Sequence, residues 1–186
     1  MTIKTFSVGE LATSADVNTF LTNAGLVYVS ETTTTAAVIF LDGVFTSTFS
    51  NYLVTFSSTN VTATGTLNFR VRASASALTS AYRYGQTGYF YDVGTSFNFS
   101  GASGAGFPLA VASGASFGSG TCTILNPALA QKTTMLSDGA SDFSNYIGQS
   151  SRGHVNNSAT YDGIQVYQDS GGTITGTLRV YGMRQA

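Results

Sequence analysis

From Leu26 onward apolar and polar residues alternate. Tyr52, Val54 and Phe56 fall on one face of a segment, Leu67, Phe69 and Val71 on another, and Ile174, Leu178 and Val180 on a third, while their neighbours are largely Thr, Ser, Asn and Arg. A period of two marks strands with one buried face. Glycine and serine clusters punctuate the intervals, from Gly101 to Gly106, at Gly114, Gly118 and Gly120, and at Gly171-Gly172. Strands separated by such turns, with no helices between them, predict an all-β fold: an antiparallel β-sandwich or jelly roll, with a closed barrel as the other way to bury the faces. No repeat of fixed period is present, which argues against a solenoid or propeller. The stretch Gly101 to Gly120 reads as a long hairpin, and Pro108 and Pro127 border apolar stretches where an edge strand can begin.

One short N-terminal helix interrupts this pattern. Thr13-Ser14-Ala15-Asp16 carries a hydroxyl and a carboxylate at capping-box spacing, with Asp in place of the usual Glu. Val17, Phe20, Leu21 and Ala24 then form an apolar stripe, and Gly25 supplies a left-handed stop, so the helix spans about 14–24. At three turns it needs a partner surface, which makes Val17, Phe20 and Leu21 candidate docking residues. The expected organisation is an N-terminal docking segment over 1–31 and a β-sandwich domain over 32–186, with Thr32 to Thr35 as the hinge.

Composition then changes the picture of the surface. Only 9% of the 186 residues are charged, against about 25% in ordinary domains, while Thr and Ser number 27 and 23. A hydroxyl can be covered by a neighbouring subunit at far lower cost than an ammonium or carboxylate, so this surface points toward assembly. The net charge is −1 and the basic residues are scattered, which predicts no nucleic-acid partner. The single cysteine, Cys122, sits in an alternating segment and reads as an inert buried thiol. No apolar run reaches the length of a membrane span and the first residues lack a signal-peptide pattern, so a soluble chain made in a cytoplasm is expected.

Candidate chemistry is sparse. The one histidine, His154, lies in the stretch Gly153-His154-Val155-Asn156-Asn157, which reads as a polar loop, and no nucleophile motif accompanies it. Asp138 and Asp142 can share a loop, but two such acids do not define a glycosidase pair. Clustered Cys and His for zinc, a calcium loop and a phosphate-binding glycine motif are all missing from the sequence, so neither enzyme activity nor a metal or cofactor is expected. The most suggestive group is aromatic: Tyr82-Arg83-Tyr84 and Tyr89-Phe90-Tyr91, separated by Gly85 to Gly88. A hairpin here would gather Tyr82, Arg83, Tyr84, Tyr89 and Tyr91 as contacts for a subunit or a glycan, with plain strand packing as the competing reading.

The opening segment Phe6 to Asn23, with Gly9-Glu10-Leu11-Ala12-Thr13-Ser14-Ala15-Asp16-Val17-Asn18, resembles the start of short virion proteins of tailed bacteriophages, although Ala12-Thr13-Ser14 stands where Leu-Thr-Ala is usual. Phe45 to Tyr52 is similar to their first sandwich strand, with Phe49-Ser50 in place of Tyr-Asp, and Gly176 to Gly182 to their closing strand. The resemblance implies a structural protein of the virion exterior, assembled in the host cytoplasm as a homo-oligomer, a trimer above all. It further implies contact with other virion proteins such as the major capsid protein, and brings no catalytic residues. Small size and the lack of a coiled-coil shaft favour a capsid decoration or cement protein, and the fibre-like opening favours the alternative, a tail or head fibre tip that binds host surface glycans.

Overall fold

In a computed structural model, residues 25–143 and 146–183 are described. The expected helix over 14–24 and its docking residues Val17, Phe20 and Leu21 lie outside them. The described chain is all-β, and its strands in order are β1 (Leu26–Ala36), β2 (Val38–Leu41), β3 (Asn51–Val61), β4 (Gly65–Ala73), β5 (Ser76–Ala77), β6 (Tyr82–Phe90), β7 (Thr95–Gly104), β8 (Phe107–Ala112), β9 (Gly118–Leu125), β10 (Thr134–Ser141), β11 (Ile147–Val155), β12 (Gly163–Gln168) and β13 (Ile174–Met183). They form two sheets, and every strand pairing is antiparallel. The larger sheet has eight strands in the order β1-β13-β3-β9-β10-β11-β6-β7. The smaller has the order β2-β12-β4-β5, with β8 also paired to β4.

Alternation explains why each strand faces as it does. Tyr52, Val54 and Phe56 of β3, Leu67, Phe69 and Val71 of β4, and Ile174, Leu178 and Val180 of β13 are all buried, as their spacing predicts, and residues of both sheets share one hydrophobic core. Burying such a side chain contributes roughly 1.5–3 kcal/mol, so a core of this size holds the fold without cross-links. β12 is buried along its whole length because it lies between β2 and β4, presents Ile164 and Val166 to the core, and has its outward Gln165 and Tyr167 covered by Arg72 and Arg70. Cys122 is buried on β9 beside Val54, and burial pushes its thiol well above its ordinary value. Pro108 lies in β8, which pairs on one side only, where a residue without an N–H costs least.

The pairing corrects four expectations. Thr32 to Thr35 are strand rather than hinge, and the boundary expected between residues 31 and 32 falls inside β1. There the Thr33 and Thr35 hydroxyls meet those of Thr177 and Thr175 on β13, each at 2.8 Å. Threonine is β-branched and suits a pleated surface, and this local preference outweighs the low complexity of the segment. The stretch Gly101 to Gly120 is not a hairpin: it holds the end of β7, then β8, which crosses to pair with β4, then the start of β9. His154 lies in β11 between Arg83 and Thr134, not in a loop. Asp138 is a strand residue of β10, whereas Asp142 lies beyond the strand and accepts the Phe117 N–H at 2.9 Å.

Candidate functional site

The aromatic stretch 82–91 is organised differently from the expected hairpin. Tyr82 to Phe90 is one continuous strand with β11 on one side and β7 on the other, so Gly85 to Gly88 makes no turn. Two flanking strands satisfy the backbone on both sides, and Gly88 provides room instead: a Cβ there would collide with the Phe97 ring of β7. Alternation then divides the five candidates. Tyr82 is fully buried; its hydroxyl accepts the Val71 N–H at 2.9 Å and donates to the Leu78 carbonyl at 3.3 Å. Burial raises its phenol far above the ordinary value. Tyr84 is half-buried on the same face, edge-on to Phe107 with centroids 5.9 Å apart, and burial raises its pKa as well. Tyr82 is thus a core residue, and Tyr84 lines the edge of the core with part of its ring exposed. Arg83 is exposed on the opposite face beside His154.

Tyr89 and Tyr91 remain, and the structure brings them together. Tyr89 is 42% exposed and Tyr91 62%. Their rings pack edge to face, 5.5 Å between centroids at 66°. The Tyr91 N–H donates to the Tyr146 carbonyl at 3.0 Å, which ties the end of β6 to the start of β11. Beside the two rings the outer face of the large sheet drops away. The register carries Tyr89 across to Gly148, Ala140 and Ser119, a row of small residues on β11, β10 and β9. The next row runs Thr87, Ser150, Asp138 and Thr121. All of these but Thr121 line a shallow, open trough of about 650 Å³, with the tyrosines as one wall and Asp138 as its acidic side chain. Gly148 sets the wall: a Cβ there would lie 2.5 Å from the Tyr91 hydroxyl.

Beyond the trough a band of hydroxyls crosses the outer face of this sheet, interrupted by the Arg179–Glu31 ion pair and bordered by Tyr28, Tyr181 and Leu53. The row through Asp138 and Thr121 continues to Thr55, Arg179 and Glu31, and the row through Ser119 to Ser57, Thr177 and Thr33. No family model matches the chain, and a search of curated proteins finds no relative. On the outer face of the small sheet Arg70 stacks over Tyr167 at 3.6 Å and Arg72 over Phe40 at 4.4 Å. Among the described residues no three His, Cys, Asp or Glu side chains gather in a ligand set.

Sequence reasoning reached Tyr89, Tyr91 and Asp138 but not their neighbourhood. In the sequence Asp138 stands only as an acid near Asp142, with nothing that joins it to the aromatic group. Thr87, Ser119, Gly148 and Ser150 carry no signal at all, because what makes them a site is the register of four strands drawn from separate parts of the chain.

Proposed function

We propose that the chain is a structural protein of the exterior of a tailed-bacteriophage particle, a capsid decoration or cement protein that acts by symmetric self-association. In this reading its two sheets form a sandwich of jelly-roll type, three copies associate, and the trimer contacts other virion proteins such as the major capsid protein after assembly in the host cytoplasm. One observation carries the reading: the outer face of the eight-stranded sheet carries a plane of small hydroxyls, with Thr33, Thr177, Ser57, Thr55 and Thr121 on adjoining strands around the Arg179–Glu31 ion pair. Such a plane can be buried against a neighbour at low desolvation cost, and its hydroxyls both donate and accept across the contact. The resemblance of the opening and closing segments to virion proteins supports the same reading.

Immunogold labelling of purified particles tests it. Label spread over the shell is expected; label confined to the tail would exclude the cement role, and unlabelled particles would exclude a virion protein. The tyrosine trough favours a second reading, a fibre tip that recognises host glycans.

A further inference from the structure

We infer that the trough on β6, β9, β10 and β11 binds a run of neutral saccharide, with sugar rings stacked on Tyr91 and Tyr89 and a hydroxyl donated to Asp138. The inference goes beyond assembly and rests on the glycan-recognition reading, whose site and ligand class it specifies.

Three features select this ligand. The first is the wall. Two tyrosines with exposed faces and a T-shaped mutual contact are held in place by each other and by the strand end, so they stack on a ring at little cost in side-chain freedom. The apolar C–H face of a pyranose matches such a surface, and its rim of hydroxyls needs polar partners beside it. The second is the floor. Ser119 and Ser150 with Thr87 line the trough, and hydroxyls both donate and accept. A purely apolar ligand would desolvate them without return. The third is charge. Asp138 is the only charged residue of the lining, which includes no Lys or Arg. A carboxylate accepts hydroxyl hydrogens and repels anions, so phosphates, nucleic acid and acidic sugars are disfavoured. Because the trough is shallow and open, it suits an internal stretch of a chain rather than an enclosed end.

Gly148 is the positioning residue. An alanine there must push the exposed Tyr91 ring outward, away from its packed position, so the fold survives while the wall shifts.

Isothermal titration calorimetry reads binding without depending on the trough tyrosines that the variants remove. Titration with the hexaoses of α-glucose, β-glucose, mannose and N-acetylglucosamine, with hexagalacturonate as the acidic control, is the experiment. At least one neutral hexaose is expected to bind and the uronate is not. Tyr91→Ala and Tyr89→Ala are each expected to weaken binding about tenfold with unchanged melting temperature. Asp138→Asn and Gly148→Ala are expected to weaken it as well. Binding that persists in a Tyr89→Ala/Tyr91→Ala double variant would overturn the trough and leave glycan recognition standing at another surface. If the wild-type protein binds none of the hexaoses, both ideas fall. If it binds none while Tyr91→Ala lowers the oligomer mass in sedimentation, the trough is a subunit contact and the saccharide inference is wrong.

Discussion

Arg72 shows how the fold treats a charge it has to cover. It is 8% exposed, and its Nε and Nη2 donate to Asp42 at 2.6 and 3.1 Å, Nη1 to Gln165 Oε1 at 2.6 Å and Nη2 also to the Ala75 carbonyl at 2.6 Å. Removing Asp42 leaves a mostly buried guanidinium short of its counter-charge. Asp42→Ala is expected to cost about 1–3 kcal/mol in urea unfolding, below the full value for a buried pair because the carboxylate is itself partly solvated. Tyr82 and Cys122 make a different prediction. Burial raises both acids, so the folded protein keeps protons that the unfolded chain releases above about pH 8.5 for the thiol and about pH 10 for the phenol. Their stabilising effect is complete below those values and declines as pH rises, by up to about 1.4 kcal/mol per pH unit for each group. Urea unfolding from neutral pH upward should show the loss, and Cys122→Ala should remove its lower limb. The position of Cys122 in an alternating segment already indicated burial. Nothing in the alternation indicated that Tyr82, unlike Tyr89, belongs to the core; its hydroxyl reaches back to Val71 of β4, in the other sheet, and to Leu78 in the connection that leads to β6.

At the scale of elements, period two identified inward faces and failed at connections. β3, β4 and β13 were legible because each has one wet face and one dry face. β8 was not: five of its six residues are buried, so it shows no alternation, and its glycine-rich flanks imitate a hairpin. The strand crosses over the large sheet so closely that a Cβ on Gly139 of β10 would collide with the Leu109 carbonyl. Backbone cannot yield as a side-chain tip can. Gly139→Ala is therefore expected to destabilise the protein by roughly 1–3 kcal/mol or more, read as a lowered melting temperature, whereas Gly148→Ala should leave that temperature nearly unchanged. The same reasoning accounts for β6. Glycines placed between two aromatic triplets suggest a turn, but β11 and β7 pair on both sides of the segment, and Gly88 admits the Phe97 ring.

For the whole molecule, the outer plane of the large sheet sets the expectation. If copies associate through it, a lysine at its middle should be costly to bury and harmless to the fold. Wild-type protein at micromolar concentration is expected to sediment as a multiple of 19.3 kDa and Thr121→Lys as a monomer, both with the same melting transition. A monomeric wild type would confine self-association to the particle surface.

The sequence by itself determined that the chain from Leu26 onward is built of strands, which face of the clearest strands is dry, that Cys122 is buried, and that hydroxyls replace charges at the surface. Each of these is a local property, carried by residues one or two apart and by composition. Which strands become neighbours, that β1 closes on β13, that Tyr82 enters the core while Tyr89 and Tyr91 wall a trough, and that Asp138 stands across from them were decided only in three dimensions. Period two says which way a side chain points and is silent on its partner, because strand register depends on how distant faces fill one shared core.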